Sequence, residues 1–419
     1  MSAALRRTFT LGMILAAAGA HAAETSPGTA FRGALGSAVY DVPGLPTSWS
    51  EADHENIRWK ADLAVPGWAS PVTWKDKVIA TGADSEHRYA WCFAEADGKR
   101  VWATEVPAVE GATEGYATDT MDPEWDARMY AASTPVTDGR RVYVLFSNGQ
   151  LAALELADGK IAWNIPLGDT SPNTYGLSGS LRLHDGKLIV VFQGDKKSIA
   201  GYDAESGKPL WTAQRPSSTW ASAALVKTSK GRDRLVLLGD PDLTAWDPAT
   251  GKQAWSIDIL SGKPDYNVGP SPVFDGKSIY VNCQGSGIYA VDPDTGAKRW
   301  GVEELPVGYG FADGVSMVAG GGRVYQYYGY VLSCLDAVTG KVLREREMDD
   351  AASYASPFLN GRHLYLVSVN GVRVVDADPG KGLSAIGTGS LDGRIEASPT
   401  VAGDAIFIRT DKALYCIGK

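Results

Sequence analysis

The sequence predicts an all-β protein: an eight-bladed β-propeller of four-stranded antiparallel blades, with the N-terminal strand completing the last blade. Three observations predict it. The first is a turn followed by a tryptophan at a fixed offset, as in AWDPATGKQAW at residues 245–255. The second is its period. Turn glycines at 98, 159, 207, 251, 296, 340 and 380 are separated by 61, 48, 44, 45, 44 and 40 residues, the spacing of propellers and related repeat arrays. The third is a mismatch: eight first-strand segments stand against seven turn segments. The missing outer strand has to come from elsewhere.

Taken in order, residues 1–22 read as a targeting segment. Arg6 and Arg7 are its basic start, residues 11–20 its apolar stretch and Ala20-His-Ala22 an A-x-A cleavage signal. The apolar stretch is too short to span a bilayer. Residues 6–11 partly match a twin-arginine signal, so the general and twin-arginine export routes both fit. The expected location is periplasmic or secreted. The first cysteine is Cys92, so a lipid anchor at the cleavage site is not expected. Residues 23–54 read as an N-terminal extension, pinned by the Phe31-Arg-Gly33 stretch and Trp49, and residues 55–419 as the propeller.

Residues 56–63, with Trp59, supply the strand that the last repeat lacks, since that repeat stops at Lys419. Closure would remove free sheet edges that otherwise pair with other chains. Each later unit carries a first strand built on Ser-Pro or a relative: residues 69–72, 133–136, 178–181, 221–224, 270–273, 312–315, 355–358 and 397–400. The turn follows. Asp247 bonds its own backbone two residues on, and Gly251 takes the positive φ that the turn needs. The offset then delivers a docking tryptophan at Trp102, Trp163, Trp211, Trp255 and Trp300, with Trp59 in the same role. Arg344 and Ser384 stand where tryptophans would, which predicts two looser junctions. Residues 109–129 exceed what the repeat requires. Their Asp and Glu residues lack the glycine and ligand order of a calcium loop and read as a solvated acidic loop.

A net charge of −9 argues against nucleic acid or an anionic membrane as the main partner. No later run is apolar enough for a transmembrane helix. Four cysteines in an exported chain invite disulfides. The register places Cys92, Cys334 and Cys416 in one small-residue column of the third strand, and Cys283 in a second strand. Sheets stack about 10 Å apart, too far for bridges between equivalent positions. Four buried free thiols are expected.

The A-x-D-x-x-T-G-K-x-x-W repeat resembles the tryptophan-docking motif of the quinoprotein alcohol dehydrogenase-like propellers, over residues 55–419. That superfamily holds enzymes binding pyrroloquinoline quinone (PQQ) and Ca²⁺, the outer-membrane protein assembly lipoprotein, which is a non-enzymatic scaffold, and exported quinone-binding-like repeat proteins. The Phe31-Arg-Gly33 opening, the LPTSWS stretch at 45–50 and the RWKADL stretch at 58–63 most resemble the third group. The enzymes carry a vicinal Cys-Cys ring, and this chain has no adjacent cysteines. The resemblance therefore implies a binding or scaffold module without a cofactor, for a protein or peptide partner. A PQQ- and calcium-dependent, or cryptic, oxidoreductase is the alternative.

No catalytic or metal-ligating residues are expected from the sequence. His21, His54, His87, His184 and His363 are scattered without metal-ligand spacing. One pattern points to a place. Large residues recur just before each first strand: Trp68, Tyr130, Tyr175, Trp220, Tyr266, Tyr309 with Phe311, Tyr354, and Arg394 with Glu396. Either they fill wedge-shaped gaps between blades, or they form an aromatic collar around one mouth of the axial channel, with a charged sector at blade eight.

Overall fold

The repeat turn shows why this sequence folds locally as it does. Asp247 Oδ1 accepts from the amides of Ala249 at 2.9 Å and Thr250 at 3.2 Å. Gly251 sits at φ +70° and donates its amide to the Asp247 carbonyl at 2.9 Å. The chain reverses, and Trp255 lands opposite Ala245 across the strand pair. The same pairing recurs as Trp59 opposite Cys416, Trp102 opposite Cys92, Trp163 opposite Ala153, Trp211 opposite Gly201 and Trp300 opposite Ala290. The small residue is a steric demand, because a Cβ on Gly201 would lie 2.5 Å from the Trp211 ring.

The computed structural model describes residues 28–112, 129–168, 176–193, 196–259, 269–283, 287–303 and 315–419. These residues form eight antiparallel four-stranded sheets, one extended to six strands, as in a β-propeller. Their first strands are Val72–Trp74, Val136–Thr137, Arg182–His184, Ala224–Lys227, Val273–Phe274, Val318–Gly320, Phe358–Asn360 and Thr400–Ala402, numbered here as sheets one to eight. The strand Ile57–Asp62 pairs antiparallel with Ala413–Ile417, so the outer strand of sheet eight comes from the start of the chain. No helix among the described residues is long and apolar enough to cross a membrane. The targeting segment and residues 113–128 of the acidic insertion lie outside the described residues.

The tryptophans dock on the next sheet's turn. Trp59, Trp102, Trp163, Trp211, Trp255 and Trp300 lie against Gly98, Gly159, Gly207, Gly251, Gly296 and Gly340. Five of them also donate their indole N–H to a neighbouring carbonyl, at 2.7–3.3 Å. Sheet seven departs from the sequence reading. A 3-10 turn at Pro379–Lys381 lengthens its connection, so the left-handed turn glycine is Gly382, not Gly380. The residue in the tryptophan column is Gly387, opposite Val374, and not Ser384.

Nor are the two junctions without tryptophan left open. Arg344 takes the tryptophan's place, its guanidinium within 3.3 Å of where a Gly382 Cβ would sit. Arg346 donates to the Gly382 carbonyl at 3.2 Å. At the other junction the N-terminal extension adds strands to both edges of sheet seven. Val39–Tyr40 pairs parallel with the first strand, and Trp49–Ser50 pairs parallel with Ala385–Ser390. Trp49 is buried against Gly389, a position where a Cβ would meet its ring. Glu51 continues the seam into sheet eight. Burial alone would raise its carboxyl, but hydrogen bonds from Lys60, Tyr415 and the Asp392 amide hold it at about 2.

The Ser-Pro recurrence has a physical cause that periodicity does not reveal. In sheets two to eight a hydroxyl two residues before the first strand accepts the backbone N–H of its counterpart in the preceding sheet. The relay runs from Ser70 to Thr134, Ser180, Ser222, Ser271, Ser316, Ser356 and Ser398, with donor–acceptor distances of 2.8–3.2 Å. Sheet six therefore uses Ser316, one residue beyond the 312–315 segment that the sequence suggested.

Cys92, Cys334 and Cys416 are buried and free, and burial pushes their thiols up to about 12, 11 and 12. The Cys283 side chain lies outside the described ones. A thiol-reactive dye is expected to label four cysteines per chain under denaturing, non-reducing conditions; two or fewer would expose a disulfide and a wrong register.

Candidate functional site

The candidate site is the end of the sheet array where each chain segment enters its first strand. Entry is fixed by backbone bonds: the amides of Trp68 and Ala69 both donate to the Ala131 carbonyl, at 3.0 and 2.9 Å, and Ser147 donates to the Tyr130 carbonyl at 3.1 Å. The first two bonds tie the entry segment of sheet one to that of sheet two, and the third holds the sheet-two segment against its own second strand's end.

The collar residues are brought together in part. Trp68 and Tyr354 stack, with ring centroids 5.3 Å apart and planes 22° from parallel. They enter sheets one and seven, so the stack spans the sector of sheet eight, the one sector without an aromatic residue in the sequence pattern. Glu396 occupies that sector. Its Oε2 accepts the Tyr354 amide at 3.3 Å and its Oε1 pairs with Arg394 at 3.1 Å. Glu396 is 7% exposed, whereas Arg394 lies open to solvent. A buried carboxylate with a charged partner and a backbone donor avoids the cost of an unpaired ion. Trp68, Tyr130, Trp220 and Tyr354 are all half-buried. Tyr175, Tyr266, Tyr309 and Phe311 lie outside the described residues.

Trp68, Tyr130, Trp220 and Tyr354 each keep a solvent-accessible part, and Trp68 and Tyr354 lie in the neighbourhood of an ion pair of zero net charge. Such a surface suits hydrophobic and stacking contacts. Among the described residues no group of His, Cys, Asp and Glu is arranged to hold a metal ion.

The opposite end of the first strands carries Arg32, which belongs to the pinning Phe31-Arg-Gly33 stretch of the sequence analysis, and Arg182, which no sequence pattern singles out. Arg32, Arg182 and residues 28–40 gather there, away from the collar. The only sequence signals were an Arg in a Phe-Arg-Gly stretch and an Arg within a first strand.

Known proteins place this architecture. A family model described as outer membrane protein assembly factor BamB matches residues 37–176, 92–285 and 284–411. The quinohemoprotein alcohol dehydrogenase of Comamonas testosteroni is 26% identical over 182 residues, 40% of this chain and 25% of that protein. The outer membrane protein assembly factor BamB of Moranella endobia is 22% identical over 259 residues, 60% of this chain and 58% of that protein. The crystal structure of the Comamonas testosteroni dehydrogenase superposes with a TM-score of 0.70 at 14% identity, covering 95% of this chain and 82% of that one. At that identity the likeness shows the fold alone. The chain spans about a quarter of the length of the first curated relatives that it matches.

Proposed function

The chain belongs to the family described as outer membrane protein assembly factor BamB, and from that premise we propose that it is an exported, non-catalytic, eight-bladed propeller that binds a polypeptide partner at its aromatic mouth. The family match carries the reading, because it runs across the sheet array from residue 37 to residue 411. Support for a ring of eight comes from Trp59 of sheet eight seated on Gly98 of sheet one, and from Thr400 Oγ1 donating to the Pro71 carbonyl at 2.7 Å. Export rests on the targeting segment read in the sequence.

The second reading, a quinone-dependent oxidoreductase, is favoured by the quinohemoprotein alcohol dehydrogenases among the relatives. One described aromatic pair at the mouth counts against a slot for that cofactor between its rings. A planar ring held between two aromatic residues needs about 3.5 Å on each face, about 7 Å in all. Trp68 and Tyr354 are 5.3 Å apart and stacked on each other.

Fluorescence anisotropy with a labelled peptide of alternating apolar and polar residues, the pattern of a membrane-barrel strand, tests the first reading. Saturable binding is expected from the full chain, and no alcohol- or sugar-dependent dye reduction after incubation with PQQ and Ca²⁺. Substrate-dependent turnover without peptide binding would replace the first reading by the second.

A further inference from the structure

We propose that residues 28–40 form a fixed plug sealing the end of the axial channel opposite the aromatic mouth. On the binding reading above, a partner then has one entrance.

Position is the first argument. Along sheet one the order is Trp68 at the collar, Ser70 in the hydroxyl relay, then Thr73. The amide of Thr73 donates to the Gly28 carbonyl at 2.8 Å, and that of Thr137 in sheet two donates to Thr29 at 3.1 Å. In sheet seven the amide of Leu359 donates to Ala38 at 2.9 Å, again beyond Tyr354 and Ser356. Trp68 and Thr73 are five residues apart, about 16 Å at the rise of a strand. The collar and residues 28–40 thus occupy opposite ends of the same strands.

Breadth is the second. Arg182 of sheet three donates Nη1–H to the carbonyls of Phe31 at 3.0 Å and Gly33 at 3.4 Å, and Nε–H to Ala223 at the start of sheet four at 2.7 Å. Arg32 reaches the other way, to the carbonyls of Ser316, at 3.2 Å, and Met317 in sheet six. Gly28 wedges between sheets one and eight, where a Cβ would lie 2.1 Å from Thr73 Oγ1 and 2.9 Å from Thr400 Cγ2. The segment therefore touches the first strands of sheets one, two, three, six, seven and eight.

Chemistry is the third, and it makes a wall rather than a lid. Arg32 and Arg182 are 2% and 4% exposed. Burial lowers their guanidiniums to about 9 and about 10. Among the described residues neither pairs with a carboxylate within ion-pair distance, so backbone carbonyls supply their hydrogen bonds. Withdrawing the segment would remove the Phe31 and Gly33 acceptors from Arg182 and leave a buried charge under-bonded, which is strongly unfavourable.

Native trypsinolysis of the full chain tests the plug. The Arg32–Gly33 bond is expected to survive while the exposed turn at Arg232 is cut. Hydrogen exchange gives the second readout. In Arg32→Glu the amides of Thr73, Thr137 and Leu359 should exchange roughly tenfold faster or more, the scale of one lost charge-assisted hydrogen bond, while those of Val236 and Val281 keep their protection. Native cleavage at Arg32 as fast as at Arg232, or unchanged exchange in the variant, overturns the proposal. If Arg32→Glu does not fold, the wild-type trypsin result decides. Neither readout involves a partner, so failure of peptide binding leaves this result standing.

Discussion

Deleting residues 56–63 is expected to lower the melting temperature by more than about 5 °C and to make Cys416 reactive in the folded state. Trp59 is 8% exposed, rests on Gly98 and donates to the Glu95 carbonyl at 2.7 Å. Loss of a buried tryptophan costs about 3–5 kcal/mol, and in large domains each kcal/mol moves the midpoint by about 2–4 °C. The deletion also removes Arg58, whose guanidinium makes two 2.7 Å bonds to Asp404, and bares the edge of Ala413–Ile417. Cys416 has Trp59 as its cross-strand neighbour, so its thiol reports the missing strand directly. Trp59→Ala should reproduce part of the midpoint shift with the strand still in place. Scanning calorimetry and native thiol labelling measure both effects. A midpoint within a degree or two of the parent, with Cys416 still unreactive, would sink the idea that the N-terminal strand completes the ring.

The sequence displayed most of the fold because each repeat states its own geometry. The Asp-to-Gly turn and the tryptophan offset are local and survive substitution at other positions, so six docking tryptophans could be read directly. Register failed where a local rule was broken. Pro379–Lys381 adds a 3-10 turn inside the seventh copy, so the glycine period points to Gly380 whereas the left-handed turn glycine is Gly382. Residues 312–315 share the outline of the other first strands, whereas the structural requirement is a hydroxyl, supplied by Ser316. The extension and its pinning residues Arg32 and Trp49, both buried, are legible in the sequence, but the sheets they dock on are not. It has no period, and its role depends on sheet seven lacking a tryptophan at Gly387 and having room for Trp49 at Gly389. The two junctions without tryptophan are filled by Arg344 and Arg346 at Gly382 and by this distant segment at Gly389. The candidate site was legible only as a list of large residues. That Trp68 and Tyr354 meet across the sector of sheet eight, with Glu396 bonded to the Tyr354 backbone, is tertiary information.

Replacing Trp220 or Tyr354 by Ala is expected to weaken binding of the strand-patterned peptide by more than ~1 kcal/mol each, the scale of an interface hot spot, with an unchanged circular-dichroism spectrum. Both side chains are half-buried at the mouth, so part of each surface is available to a partner. Tyr354→Ala also removes the stack with Trp68, but an aromatic pair contributes only about 0.5–1.5 kcal/mol beyond its buried area, small for a chain with this much core. Trp255→Ala should do the reverse. Its ring lies on Gly296, where it fills the space beside the turn, and its indole N–H donates to the Pro293 carbonyl at 3.3 Å. Trp255 is half-buried, so removing it opens a notch between sheets four and five at a cost of up to about 3–5 kcal/mol, the scale of a fully buried tryptophan, and the midpoint should fall while peptide affinity, measured well below that midpoint, stays near the parent value. The comparison separates two demands on aromatic residues in this fold. The docking tryptophans are fixed by the repeat, each opposite a small residue and above a turn glycine. The mouth residues obey no such register, since sheet eight carries Arg394 and Glu396 there instead. If Trp220→Ala and Tyr354→Ala lower the midpoint as far as Trp255→Ala and leave peptide affinity untouched, the collar serves only to pack the blades together.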